Sequence, residues 1–285
     1  MLQIVTDTAS DLTVGQAEDM NIHLVPLTIT FEDGECPQER DEDFDVFYSR
    51  LKQSDSLPKT SCPSPELYLE IFERAKQAGD DVLVLTLSGG LSGTVESARV
   101  ARELSGYERI FIVDTHQAIM AQRMAVEYAV KLRNEGAGAE EIVQKIQEVR
   151  DQIVVCGVVD TLVYLKMGGR IPAGLAVIGE ALHIKPVIVL EDTILKTMAK
   201  VRGRKAGIDK LYARIENDGI DPDFPVYFGY TSNRGIVEDF MQETKKKYHL
   251  KGRCRLYPIG GIIGTHCGTD CIAVSYKKRE NGGSV

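Results

Sequence analysis

The sequence predicts an α/β fold with a mainly parallel N-terminal sheet covered by helices on both faces and a C-terminal α/β part with a mixed sheet. Three observations predict it. Short runs rich in Val, Ile and Leu alternate with helical patterns through the first half, the order that builds parallel strand-helix-strand units. Turns rich in glycine and hydroxyls follow several of these runs, as they do where a strand hands over to a helix at a ligand-binding edge. After about Gln152 the pattern changes, dividing the 285 residues into two expected domains, 1–152 and 153–285, each of ordinary domain length.

The elements follow in order. Leu2–Val5 reads as a strand, with no basic segment or cleavage site to make it a signal peptide. His23–Ile29, Val82–Leu87, Ile110–Val113 and Ile153–Val159 are the next strands. Between them Phe44, Phe47, Tyr48 and Leu51, then Leu67, Ile71 and Ala75, and later Ile142, Ile146 and Val149 recur at helical spacing and mark buried faces. Ser64-Pro65-Glu66 starts a helix, with Ser64 placed to cap it, Pro65 suited to its first turn and Glu66 favourable to its dipole. Thr60–Pro63 is then a loop leading into that helix. Asp7–Asp11 and Asp114–His116 occupy similar strand-to-helix positions, so several polar loops gather at the carboxyl edge of one sheet, where open α/β folds bind ligands. In the second part strands at Pro186–Leu190, Val226–Tyr230, Arg253–Tyr257 and Cys271–Tyr276 mix with helices near Ala206–Ile215 and Ile236–Lys246, and Glu280–Val285 reads as a frayed end.

Charge and cysteine usage narrow the class. The net charge of −8 hides an uneven split: 14 Lys and Arg against 28 Asp and Glu before residue 153, and 20 against 14 from there on. The acidic half argues against nucleic acid as a partner, and the basic half suits an anionic ligand or an acidic protein face. The longest apolar run, Ala173–Leu190, is interrupted by Glu180, His183 and Lys185, so no membrane span is expected. Six cysteines without framework spacing predict reduced thiols in a cytoplasmic protein, with Cys156 a small core residue.

The segment Ser88–Thr94 carries the sharpest signal. It lacks both the G-x-G-x-x-G and the Walker pattern, which excludes the standard dinucleotide and nucleotide loops. Gly90-Leu91-Ser92-Gly93-Thr94 departs from the hydrolase elbow G-x-S-x-G by one residue, Thr94. Three readings stay open: Ser92 as the nucleophile of a serine hydrolase with His266 and Asp114 or Asp160, Ser92 and its neighbours as hydrogen-bond donors to a bound carboxylate, and a plain cap and turn. Arg170 follows a paired-glycine turn that fixes its direction, and Arg202 sits in a basic run suited to a phosphate or to solvent. His266 lies in a glycine-rich segment read as a polar turn. Beside it, Cys267 and Cys271 match no zinc-finger or zinc-ribbon spacing, so no metal is expected.

These motifs together, Val5–Leu12, Thr60–Pro65, Leu91–Thr94 with Ser97-Ala98, Asp160–Leu162 through Gly168–Ile171, Ile184–Pro186, Val201-Arg202 and His266–Gly268, resemble the DegV family over essentially the whole chain. The resemblance implies a two-domain protein, with a Rossmann-like N-terminal sheet, that is not itself an enzyme. It would bind one long-chain fatty acid in a tunnel between the domains and need no cofactor. It further implies a separate ATP-binding fatty acid kinase subunit that converts the presented carboxylate to acyl-phosphate for phospholipid synthesis, and peripheral membrane contact for exchange of the acid. A lipid carrier without a kinase is the nearest alternative. Carried over to this sequence, Thr60, Ser61, Ser92, Gly93, Thr94 and His266 would surround the carboxylate, while Arg170 and Arg202 would face the kinase or the transferring phosphate. Two departures are visible: Cys62 stands where the family often has glutamine, and Cys267–Asp270 replaces a commoner glycine-proline form.

Overall fold

The computed structural model describes residues 1–171 and 183–279. Pro172 after Arg170, most of the apolar run Ala173–Leu190 and the end segment Glu280–Val285 lie outside the described residues.

The chain opens with strand β1 (Leu2–Asp7), a 3-10 turn (Thr8–Ser10), helix α1 (Val14–Asp19) and strand β2 (His23–Val25). Strands β3 (Thr28–Phe31) and β4 (Gly34–Glu35), helix α2 (Asp41–Gln53), strand β5 (Lys59–Ser61) and helix α3 (Pro65–Ala78) follow. Strand β6 (Asp81–Thr86), helix α4 (Thr94–Ser105), strand β7 (Ile110–Asp114) and helices α5 (Ile119–Asn134) and α6 (Ala139–Arg150) complete the first part. The expected strand His23–Ile29 is two strands in two sheets. Pro26 lies between them, has no N–H to donate to a ladder, and marks the point where the chain leaves the parallel sheet. β3 instead heads a small antiparallel sheet of order β4-β3-β5.

The second part contains strand β8 (Ile153–Val158), helix α7 (Val163–Met167), strands β9 (Ile184–Glu191) and β10 (Ile194–Arg202) and helix α8 (Arg204–Asp218). It ends with strand β11 (Val226–Tyr230), helix α9 (Arg234–Lys247), strand β12 (Cys254–Pro258), helix α10 (Gly261–Cys267) and strand β13 (Ile272–Lys277). Its mixed sheet has the order β10-β9-β8-β13-β11-β12. β10 escaped sequence reading because Lys196, Lys200 and Arg202 interrupt its apolar residues, as suits an edge strand.

The layers explain the patterning. Val5, Val82 and Val84 face α3 and α4 through Tyr68, Phe72, Ala98 and Ala101, while Ile4, Leu83 and Leu85 face the opposite way. On that side α5 packs against both sheets, touching β1 and β6 on one flank and β8, β11 and β13 on the other. A helix covered on two sides carries little amphipathic signal, and Met120, Ala121, Met124, Ala125 and Ala129 are all buried. The outer face of the mixed sheet buries Val154, Cys156, Val187 and Val274 beneath α8 and α9. In α3 the buried face is Tyr68, Ile71, Phe72 and Ala75. Leu67, expected inside, is exposed because it points away from the sheet. Ser64 occupies the cap position but makes no capping hydrogen bond, and Pro65 begins the helix as expected.

Candidate functional site

The parallel sheet has the order β2-β1-β6-β7, so the chain leaves β1 in opposite directions and opens a crevice at the carboxyl ends of β1 and β6. Beside it lies a cavity of about 40 Å³. Its apolar walls are Leu27, Leu87, Leu91, Leu165, Leu195, Ile262 and Ile263, and its polar groups are Thr60, Ser92, Arg170 and His266, with Cys267. The parallel sheet contributes Leu27 and Leu87 from the segments after β2 and β6, and the mixed sheet contributes Leu195 from β10.

The Ser92 loop is held from three sides. Leu91 N and Ser92 N both donate to Ser88 O, Gly89 N donates to Asp114 Oδ2 at 2.9 Å, and Ser88 Oγ donates to Thr193 O at 3.1 Å in the turn between β9 and β10. Gly90 must be glycine, since a Cβ there would sit 2.1 Å from Thr193 O. Ser92 Oγ shares a hydrogen bond of 2.9 Å with Thr94 Oγ1, so one hydroxyl of this pair has a hydrogen to offer a further acceptor.

His266 lies on α10, where a polar turn was expected. The Gly260-Gly261 start gives a short helix whose packing against α2 and α7 buries the ring. Its Nε2 shares a hydrogen bond with Thr60 Oγ1 at 3.1 Å, and its Nδ1 has no partner among the described residues. Burial, with the Arg170 charge adding to it, lowers the imidazole pKa to about 4, so the ring is neutral near pH 7. Arg170 donates through Nε to Leu91 O at 3.2 Å and through a terminal nitrogen to Gly168 O, tying the glycine turn after α7 to the Ser92 loop.

Thr60, Ser92, Arg170 and His266 thus meet at one cavity, with Thr94 one hydrogen bond behind Ser92. Three other candidates lie outside its lining. Side chains alternate across β5, so Thr60 turns inward and Ser61 is exposed. Gly93 is exposed at the start of α4, 3.7 Å from Cys62 Sγ as measured from a Cβ placed on it. Arg202 is exposed at the end of β10, six ladder steps along the strand from Leu195 because of a bulge between Thr197 and Ala199, and so roughly 20 Å from it. No hydrolase triad is assembled: His266 bonds Thr60 and not Ser92, Asp114 receives Gly89 N and His116 N, and Asp160 pairs with Lys185. Among the described residues no three His, Cys, Asp or Glu side chains converge to hold a metal ion, and no helix is long and apolar enough to cross a membrane.

Gly168 makes the site sensitive to a single methyl group, because a Cβ on it would lie 2.1 Å from His266 Nδ1. Gly168→Ala is expected to cost about 1–3 kcal/mol through this overpacking and to displace the imidazole from Thr60. A lowered urea midpoint, with a changed His266 ring signal in NMR, checks both. An unchanged ring environment rejects the displacement.

Fold and cavity together define an α/β protein whose mostly apolar cavity, with a few polar groups in its lining, draws walls from both the parallel and the mixed sheet. The chain belongs to the DegV family, whose profile, described as "Uncharacterised protein, DegV family", matches residues 1–279. A DegV domain-containing protein of Caldanaerobacter subterraneus is 31% identical over 279 residues, covering 98% of this chain and 99% of the relative. Among solved structures, a fatty-acid-binding DegV family protein from Thermus thermophilus superposes with a TM-score of 0.87 at 27% identity, covering 97% of this chain and 99% of that one. A stearic-acid-binding protein from Eubacterium ventriosum gives a TM-score of 0.87 at 25% identity, with 98% of each chain covered.

Proposed function

We propose that this protein binds one long-chain fatty acid, lays its chain along the leucine and isoleucine walls, and presents its carboxylate to a separate ATP-dependent kinase subunit. The observation that carries the reading is the cavity's mixed lining: seven aliphatic side chains share it with the hydroxyls of Thr60 and Ser92, a neutral imidazole and a fixed guanidinium. Solved relatives that bind fatty acids share the fold over nearly the whole chain. Chain burial supplies about 0.8 kcal/mol per methylene, so sixteen carbons offer on the order of 10 kcal/mol before the costs of association. An unpaired carboxylate is expensive to desolvate, and Ser92, backed by Thr94, and Thr60 meet it with charge-assisted hydrogen bonds.

A cavity of about 40 Å³ is small beside the roughly 300–1,000 Å³ of typical ligand sites, so seating a full chain requires the walls to part. We assign that movement to residues 1–152 and 153–285 as two domains, with Ser61 and Gly93 at the rim of the carboxylate end. Hydroxyls in place of a bidentate arginine clamp leave a carboxylate oxygen nucleophilic enough to attack the γ-phosphorus of ATP, whose bond to the β–γ bridging oxygen breaks as ADP leaves, and Arg170 offsets charge as the phosphoryl group passes. Exposed Arg202 serves the kinase at a distance from the cavity. A cytoplasmic site of action, with exchange of the acid at a membrane surface, accords with this role.

Extraction and mass spectrometry of the purified protein test the binding. One acyl chain per protein is expected, and a preparation that carries none and takes none up rejects the reading. Reconstitution with a kinase subunit tests presentation: Arg202→Ala is expected to keep its acid and lose turnover, and full turnover by this variant removes Arg202 from the mechanism. Phosphorylation of no bound acid by any such subunit leaves a carrier.

A further inference from the structure

We infer that the 3-10 turn after β1, Asp7–Asp11, positions the walls of the carboxylate end without touching the ligand, through three side chains that each capture a backbone N–H of a wall segment. Asp7 Oδ2 accepts from Leu87 N at 2.8 Å, Thr8 Oγ1 accepts from Leu27 N at 2.9 Å, and Asp11 Oδ1 accepts from Gly260 N at 2.9 Å. Leu87 and Leu27 line the cavity themselves, and Gly260 caps α10, which brings Ile262, Ile263 and His266 to it. None of residues 7–11 lines the cavity.

The turn is built to be rigid. Asp7 Oδ1 receives Ala9 N, Ser10 Oγ donates to Asp7 O at 2.7 Å, and Asp11 closes the turn in the left-handed region at φ 57°. Residues 7, 9, 10 and 11 are all buried. The α10 end is held further by Tyr48 Oη, which donates to Ile259 O at 2.7 Å, and by Gln38, whose side-chain oxygen accepts from Gly261 N. The groups facing Asp11 from other elements are Arg123 of α5 and Tyr48 of α2. Asp11 Oδ2 has no partner among the described residues, and burial raises this carboxyl to about 8. Asparagine, shaped like the protonated acid and able to accept through Oδ1, is therefore the conservative substitute.

This inference rests on the fatty-acid reading for its ligand, and a ligand-independent measurement separates the two. Thr8→Val keeps the branched shape and removes the acceptor, and Asp11→Ala and Asp11→Asn form the second pair. In the protein without added ligand, amide exchange is expected to quicken about tenfold at Leu27 in Thr8→Val and at Gly260 in Asp11→Ala. Other core amides should hold. Binding of hexadecanoic acid and of hexadecanol is then compared by displacement of a fluorescent probe. Thr8→Val and Asp11→Ala are expected to lose about tenfold in affinity for the acid and little for the alcohol, with Asp11→Asn restoring the acid to within twofold. Unchanged exchange overturns the inference, as does an equal loss of acid and alcohol, since a merely structural role weakens both. If Asp11→Ala does not fold, Thr8→Val alone decides. If exchange responds but the parent protein binds no acid, the fatty-acid reading falls and the hold on the walls stands.

Discussion

Raising the pH from about 6.5 to about 8 is expected to weaken the fold by up to about 2 kcal/mol, through Asp11. This carboxyl is buried and titrates near 8 in the folded chain against 3.8 as its ordinary value. Between those values the folded state holds a proton that the unfolded state lacks, so stability falls as the pH rises through the window. Asp7, also raised by burial, acts with the same sign only up to about 6. His266, held near 4, and His23, lowered from 6.5, have the opposite sign and strengthen the fold as the pH rises through 6.5, offsetting a small part of the loss. The buried thiols and phenols are raised above already alkaline values and act later. Urea unfolding at intervals between pH 6.5 and 8 measures the slope. The parent chain should lose stability across it and Asp11→Asn should stay flat or rise slightly, as the histidines dictate. A flat parent chain means that Asp11 is ionised throughout.

Placing a carboxylate on the apolar wall is expected to abolish fatty acid binding while sparing the fold. Leu195 is the position of choice, since it is only partly buried and lies on the edge strand β10, where a polar residue can reach solvent when no ligand is bound. With an acyl chain seated, the carboxylate introduced by Leu195→Asp would be desolvated without a partner, at a cost of about 2 kcal/mol or more, and the aliphatic contact of leucine, about 1.5–3 kcal/mol when fully buried, would be lost. Leu195→Asp should therefore bind hexadecanoic acid at least about 100-fold more weakly, and Leu195→Met within about threefold. Displacement of a fluorescent fatty acid measures both, with melting curves to confirm folding. Retained affinity in Leu195→Asp places the acyl chain elsewhere.

Local chemistry made much of the frame readable. The buried runs at β1, β6, β7 and β8 and the stripe Ile142, Ile146 and Val149 lie where their periods put them, because a strand or helix with one apolar composition has few ways to bury it. The glycine turn before Arg170 likewise directs that side chain, with Gly169 at φ 70°. Helix α5 and the strand β10 were not legible, since one is covered on two sides and the other is an edge rich in lysine. His266 illustrates the same limit within the site. Its glycine-rich surroundings resemble a turn, and only packing against α2 and α7 makes them a helix and removes the charge from its ring.

From residue order alone came the α/β class, the parallel and mixed sheets, and the chemical kinds of residue, Ser92, Thr94, Thr60, Arg170 and His266, that carry polar groups at strand ends. The tertiary structure decided which of them share a cavity, which aliphatic side chains wall it, and which stand outside, as Ser61, Gly93 and Arg202 do. It also decided that the Asp7–Asp11 turn reaches Gly260, 249 residues away from Asp11. The reason is physical: periodicity and turn chemistry act over a few neighbouring residues, whereas a cavity and the hydrogen bonds that brace it depend on distances that arise only once both sheets close on α5.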